Sequence, residues 1–165
     1  MIKILPLKQI DDSDCGPTSI KMAVDYLGLP ISFKEIARVS EYKRKDGLTD
    51  IDLVHTIKKL GLRVRAKRNT SWTDLRRANK ENAVIIVSWM KYGYMGHFSV
   101  VDSVQKDHIL LADPEFGTLE KIEKLIFMRL WMDYDDVWYA KQNTDIQLRW
   151  MAVVSKKKEN GSMTA

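Results

Sequence analysis

The spacing of apolar residues changes once along this 165-residue chain, close to residue 80. Before that point apolar residues recur mostly at the three- and four-residue spacing of amphipathic helices. After it, short apolar runs separated by turn residues predict strands. Helices followed by mostly antiparallel strands indicate one α+β domain, with a helical half and a sheet half.

Four helices and one strand are predicted in the first half. The first helix begins near Pro17, whose missing N–H costs nothing in a first turn, and stops at Gly28. The segment SFKE at 32–35 is a capping box that opens a second, short helix. The third lies in 49–61, and its apolar face is predicted to consist of Ile51, Val54, Ile57 and Leu60. LRVRAK alternates as a half-exposed strand, and SWTD restarts a helix capped by Ser71.

In the second half the apolar runs AVIIVSWM, HFSVVDSV and HILLADP predict three strands, and IQLRWMAVVSK predicts a closing strand. KYGYMG is predicted to be a loop, and EKIEKLIFMRLW a helix. We place one domain at residues 1–156 and expect the polar tail at 157–165 to be disordered.

Composition limits the class of protein. The chain has one cysteine and therefore no internal disulfide. It has no apolar run near the ~18 residues of a membrane span and no secretory signal, so we expect a cytoplasmic protein without an integral membrane segment. The net charge of +5 comes partly from basic clusters that we interpret as solvated surface, so no nucleic-acid partner is expected.

The single cysteine, Cys15, lies directly before Gly16 and Pro17, where the first helix begins. A lone cysteine is often a small buried hydrophobe, but that role would suit a position on the apolar face inside the helix. The N–H groups at a helix start stabilise negative charge, and a thiol attacks as thiolate. Cys15 is therefore a candidate nucleophile.

A nucleophilic cysteine needs a base, usually a histidine oriented by a third group. His55 is expected on the third helix as a partly buried surface residue, and His108 beside an exposed turn, whereas His97 opens a strand after a loop. If HFSVVDSV and HILLADP pair around the QKD turn, their far ends meet. His97 and Asp113 then lie at the same open end, and Asp113 can accept the imidazole N–H. An ordinary Asp-Pro turn at a strand end is the alternative.

Acyl transfer also needs donors for the oxyanion. The backbone N–H of Cys15 is one, and Gln9 has a side-chain amide six residues upstream. A zinc site of Cys15, His97 and Asp113 is a weaker alternative, because it offers three scattered ligands without paired-ligand spacing.

The segment KQIDDSDCGPTSIKMAVDYLG resembles the active-site segment of the bacteriocin-processing cysteine peptidases. These form the amino-terminal domain of peptide-exporting ABC transporters and cut leader peptides after a double glycine. The matching residues are Gln9, Asp14, Cys15, Gly16, Pro17, Tyr26 and Gly28. DGLTDIDLVHTIKKLGLRVRA, HFSVV and ADPEFG resemble the family's middle, histidine and Asp-Pro segments, in the same order.

The resemblance implies a papain-like fold, with Cys15 as nucleophile, His97 as general base and then acid, Asp113 as the residue that orients it, and Gln9 in the oxyanion hole. It implies no cofactor and no metal. Its implied partner is a peptide or protein substrate, with a leader-bearing precursor as the candidate, and a separate ABC transporter as a possible associate. Two departures are Ser19, where the family often has a second cysteine, and the absence of a following transporter segment, which predicts a freestanding member.

Two other functions use the same residues. A peptide- or leader-binding module would keep the fold without the reaction. A deamidase or isopeptidase would use the same nucleophile and base on a different amide, and the sequence does not separate it from a peptidase.

Overall fold

The computed structural model describes residues 3–41, 47–80, 82–134 and 139–157. Its α-helices are α1 (Cys15–Tyr26), α2 (Phe33–Ser40), α3 (Asp50–Lys59), α4 (Trp72–Ala78) and α5 (Lys124–Leu130). Its strands are β1 (Arg63–Lys67), β2 (Val84–Lys91), β3 (Met95–Val104), β4 (His108–Asp113), β5 (Thr118–Glu123), β6 (Met132–Tyr134), β7 (Ile146–Leu148) and β8 (Met151–Ser155). A 3₁₀ turn at Asn143–Asp145 precedes β7. None of the helices in these ranges has the length and apolar character needed to cross a bilayer.

Six antiparallel strands form the main sheet in the order β1-β8-β2-β3-β4-β5, and β6 pairs with β7 in a small second sheet. The α+β prediction is confirmed. The predicted hairpin also forms: β3 and β4 pair around the 105–107 turn, with Val100 opposite Ala112 and a register shift between Val101 and Ser103. Gln105 N donates to the His108 carbonyl at 2.9 Å across this turn.

The sheet is covered on both faces, which explains why every residue of β2 is buried. One face packs against α1, α2 and α3 through a core that includes Ile20, Ile86 and Val100. The other packs against α4 and α5 through a second core that includes Trp89 and Phe127. Residues of β2 contribute alternately to the two cores, as the two-residue period of a strand requires.

Three helix starts have side-chain caps, of which those at Ser32 and Ser71 were predicted. The Ser32, Thr49 and Ser71 hydroxyls accept bonds from the backbone N–H groups three residues later, at 3.1 Å in each case. At Thr49 and Ser71 the Asp three residues on also accepts from the backbone N–H of the capping residue, so the capping box is complete.

The apolar face predicted for α3 was partly wrong. Leu53 and Ile57 are fully buried, whereas Ile51 is 60% exposed. Ile51 lies in the first turn beside the Thr49 cap, and the helix faces the core with the 53–56–57 side instead. Val54 and Leu60 are partly buried and pack against the same core.

The prediction of a helix for EKIEKLIFMRLW was wrong for its first four residues, EKIE, which lie in β5. Residues 118–123 pair along the whole of β4 as the edge strand β5, with Asp113 opposite Thr118 and His108 opposite Glu123. Pairing with a free sheet edge outweighs local helix propensity here. The chain turns into α5 only at Lys124, whose N–H donates to the Asp107 carbonyl at 2.7 Å.

The predicted closing strand is divided into β7 and β8 by Arg149, which has a positive φ of 48°. Its N–H donates to the Trp131 carbonyl at 2.9 Å, and the Trp131 indole N–H donates to the Trp150 carbonyl at 2.8 Å. These bonds anchor the break between the two strands. Of the tail expected to be disordered, residues 158–165 lie outside the described residues.

Leu53→Ala tests the corrected face of α3. Because Leu53 is fully buried, its truncation should lower the free energy of unfolding by about 2–5 kcal/mol. Ile51→Ala, two positions away on the exposed side, should change it by no more than about 0.5 kcal/mol. Urea titrations of the two variants measure the difference. A larger loss for Ile51→Ala would contradict this orientation of the helix.

Candidate active site

The start of α1 holds Cys15 with its side chain half-buried. Asp14, just before it, is fully buried, and its carboxylate accepts from Asp11 N at 3.1 Å. A Cβ on Gly16 would lie 3.1 Å from Leu48, which explains a glycine next to the cysteine. Pro17 is buried in the first turn, where the absence of an N–H is tolerated. The DCGP sequence thus begins a packed helix with the thiol in its first turn.

The β3–β4 hairpin brings His97 and Asp113 together. Both side chains are buried, and His97 Nε2 lies 3.1 Å from Asp113 Oδ2. The pairing of Val100 with Ala112 places Ser99 and Asp113 at the same level, with His97 one same-face position further along β3.

The Cys15 thiol is the other group that acts on the imidazole, and its interaction favours the charged ring. Because Nε2 is occupied by Asp113, the remaining ring nitrogen, Nδ1, is the one available to the sulfur. Burial disfavours a charged imidazole, but the hydrogen bonds and charges of Asp113 and Cys15 outweigh it and raise the pKa of His97 to about 9. The ring can therefore hold a proton between a sulfur and a carboxylate.

Asp113 is surrounded by groups that favour its ionised form. The Ser99 hydroxyl donates to Oδ2 at 3.1 Å, and the backbone N–H of Glu115 donates to Oδ1 at 2.9 Å. The ammonium of Lys91 lies 3.0 Å from Oδ1. Burial alone would raise the carboxyl pKa, but His97 and then Lys91 outweigh it and lower the pKa of Asp113 to about 2.

Trp89 contacts both His97 and Ser99. Its ring meets His97 edge-on at a centroid distance of 6.2 Å, and its indole N–H donates to Ser99 Oγ at 3.0 Å. Trp89 is also directly opposite His97 in the β2–β3 pairing. Lys91, Ser99 and Trp89 were not predicted to be neighbours of the site. The two-residue spacing of His97 and Ser99, which puts both on one face, was an available signal.

Gln9 is anchored beside the turn that follows Asp113. Its backbone N–H donates to the Pro114 carbonyl at 2.6 Å. Gly117, with a φ of 66°, allows close approach at the same place, since a Cβ there would lie 2.8 Å from Lys8 N. The side-chain oxygen of Gln9 is buried and has no hydrogen-bond partner in the part of the chain that the structure describes.

The other two histidines lie elsewhere. His55 is exposed on α3, more so than the partial burial expected for it. His108 is at the opposite end of β4 from Asp113, with Nδ1 2.7 Å from Asp107. Within the described ranges, no group of three or more His, Cys, Asp or Glu side chains is arranged to hold a metal ion.

Comparison with known proteins identifies the family of the chain. The model of the peptidase C39 family matches residues 3–135, which include all four predicted site residues. The chain belongs to the peptidase C39 family. This membership places it among the cysteine peptidases.

Several curated proteins resemble this C39 chain. The transport/processing ATP-binding protein ComA of Streptococcus pneumoniae is 31% identical over 127 residues, covering 74% of this chain and 17% of ComA. The pediocin PA-1 transport/processing protein PedD of Pediococcus acidilactici is 28% identical over 125 residues, with the same two coverages. The chain thus spans about a sixth of the length of these two relatives. An uncharacterized protein of Methanothermobacter marburgensis is 28% identical and is covered over 80% of its length.

Solved structures share the fold. The peptidase domain of a Streptococcus ComA, described as a bifunctional ABC transporter in quorum sensing, superposes with a TM-score of 0.72 at 20% identity, covering 94% of this chain and 100% of that one. A double glycine motif protease from an AMS/PCAT transporter, solved with its leader peptide, gives 0.71 at 16% identity, covering 94% of both chains. The papain-like fold expected for this C39 chain is confirmed.

Gly117→Ala tests the contact between the Asp-Pro turn and the Gln9 segment. A left-handed φ costs alanine roughly 1–2 kcal/mol, and overlap with Lys8 should add about 1–3 kcal/mol. Gly28→Ala is the matched control. Its φ is 65°, and a Cβ there meets no described atom within 4 Å. Urea unfolding should show the larger loss for Gly117→Ala. Equal losses would mean that the close contact between Gly117 and Lys8 does not affect the free energy of unfolding.

Proposed function

We propose that this chain hydrolyses a peptide amide with Cys15 as nucleophile, His97 as general base and acid, and Asp113 as the residue that orients the imidazole. One observation carries the proposal: a buried imidazole lies 3.1 Å from a buried carboxylate, and the chain's only thiol is the other group that acts on its charge. Nucleophile, base and orienting group in that linear order constitute the arrangement that acyl transfer requires.

In the first half of the reaction the sulfur of Cys15, its proton held by His97, attacks the carbonyl carbon of the substrate. The carbonyl π electrons move to oxygen and give a tetrahedral oxyanion. Collapse breaks the C–N bond, and the imidazolium gives its proton to the leaving amine. In the second half His97 takes a proton from water as the hydroxide attacks the carbonyl carbon of the thioester. Collapse breaks the C–S bond and releases the acid, and the imidazolium returns its proton to the sulfur.

Stabilisation of the oxyanion is assigned to the backbone N–H of Cys15 and the side-chain amide of Gln9. The first N–H groups of a helix have no partner within the helix, so that of Cys15 is available as a donor. Support for Gln9 comes from the bond of its backbone N–H to the carbonyl of Pro114, which directly follows Asp113.

A leader peptide with a Gly-Gly or similar small-residue cleavage site is the substrate class that we propose. ComA and PedD are named as transport/processing proteins, and the AMS/PCAT domain is described as a double glycine motif protease in complex with its leader peptide. By the same analogy we propose a cytoplasmic location and association with an ABC transporter that exports the processed peptide.

Incubation with a panel of peptides containing Gly-Gly and other small-residue sites, analysed by mass spectrometry, tests the proposal. Cys15→Ala should abolish turnover. Gln9→Ala should reduce kcat by ~10²–10³, because a donor to the oxyanion is lost. Asp113→Asn should reduce turnover less than His97→Ala, since the base remains. Gln142→Ala removes an exposed glutamine and serves as the control, with wild-type activity expected.

The same assay distinguishes the alternatives. Full turnover by Cys15→Ala would eliminate the proposed mechanism. Tight binding of a leader peptide without cleavage by the wild-type protein would instead assign a binding module. A mass increase of about one unit at a glutamine, without cleavage, would assign a deamidase.

A further inference from the structure

Lys91 is a fully buried cation directly behind the candidate site. It is the last residue of β2, and its side chain is only 1% exposed. A buried ammonium is costly unless it is paired. Lys91 has more than one carboxylate partner, although one would balance its charge. The most buried of these partners is Asp113.

Three carboxylates surround this ammonium. Nζ lies 3.0 Å from Asp113 Oδ1, 2.7 Å from Glu115 Oε2 and 3.5 Å from Glu120 Oε2. The Tyr92 hydroxyl donates to the same Glu115 oxygen at 3.0 Å. Nζ also lies 4.9 Å from the centroid of the Phe116 ring and 5.2 Å from that of Tyr92. The cation thus links the end of β2 to the turn and strand that follow Asp113.

The two oxygens of Asp113 have separate partners. Oδ2 faces His97 and Ser99, whereas Oδ1 faces Lys91 and the Glu115 N–H. Holding Oδ1 on one side fixes the direction of Oδ2 on the other. We propose that Lys91 is a positioning residue, which keeps Asp113 ionised and its Oδ2 directed at His97 by bridging it to Glu115 and Glu120.

The charge balance explains why a cation is needed here. Without Lys91, three carboxylates would share one partly dry site, and like charges at that spacing cannot all remain ionised. The Asp113 side chain is fully buried, whereas those of Glu115 and Glu120 are 25% and 39% exposed. Burial disfavours charge most strongly at Asp113, so its ionised form loses the most when the ammonium is removed. A protonated or displaced Asp113 no longer supports the imidazolium of His97.

Two effects of removing Lys91 have opposite signs at His97. Loss of a cation, by itself, would favour the imidazolium and raise the pKa of His97. Loss of a correctly placed, ionised Asp113 would lower that pKa from about 9 toward the ordinary value of about 6.5. Lys91 is given its role within the catalytic set proposed above, but the sign of this change can be measured without any substrate.

Lys91→Met, which keeps the unbranched side chain up to the ε position and removes the charge, is the main variant. Its His97 midpoint, followed by NMR, should fall by one unit or more. The rate of Cys15 alkylation by iodoacetamide at pH 7 should also fall, because the imidazolium that stabilises the thiolate is less favoured. Lys59→Met is the control: Lys59 is exposed and pairs with Glu41 at 3.3 Å, so both values should stay at the wild-type level.

A second variant keeps the proposal testable if Lys91→Met does not fold. Lys91→Met/Glu115→Gln restores the net charge of the cluster, because one cation and one anion are removed together. Its His97 midpoint and alkylation rate should stay below the wild-type values, since Oδ1 lacks its ammonium, but the fall should be smaller than in Lys91→Met because one repelling carboxylate is gone. Recovery of wild-type values in this double variant would reduce Lys91 to charge balance and overturn the positioning role.

The remaining outcomes are also decisive. An unchanged or raised His97 midpoint in folded Lys91→Met would overturn the proposal. Failure of both variants to fold, judged by circular dichroism, would assign Lys91 to the fold and overturn it as well. If the wild-type protein cleaves no peptide while both readouts fall as expected, the positioning role stands and the proposed peptidase function fails.

Discussion

The hydrogen bond between the His97 imidazole and the buried Asp113 carboxylate is the contact on which the candidate site depends. It forms at the end of the β3–β4 hairpin that lies away from the connecting turn. The register of the two strands therefore places both residues side by side. A buried carboxylate next to the ring favours the imidazolium, and that preference gives the Cys15 thiol a proton acceptor at its helix start.

The rest of the fold places the Cys15 thiol and Gln9 relative to His97 and Asp113. Helix α1 packs on one face of the sheet with Cys15 in its first turn, and Gly16 allows Leu48 to pack against that turn. The turn after Asp113 does more than end a strand. It supplies the Glu115 N–H to Asp113 and the Pro114 carbonyl to Gln9, so one short segment places both the orienting carboxylate and the proposed oxyanion donor.

Much of this arrangement was predictable because its determinants are local. Helix starts at Ser32, Thr49 and Ser71 follow from capping chemistry, and the pairing of His97 with Asp113 follows from a short turn between two apolar runs. Residues 118–123 were not predictable in the same way, since their strand exists only because β4 offers an edge. The burial of Lys91 was also missed. A lysine after an apolar run suggests the end of a strand at the surface, and only the carboxylates brought in by the next hairpin make its burial possible.

A titration of the His97 ring by NMR, in the wild-type protein and in the Cys15→Ala and Asp113→Asn variants, tests the central claim most directly. If the imidazole lies between the thiol and the carboxylate, its midpoint is near 9 in the wild type and lower in both variants, with Asp113→Asn showing the larger fall. A wild-type midpoint near the ordinary value of about 6.5, unchanged in both variants, would show that His97 contacts neither group in solution and would contradict the account.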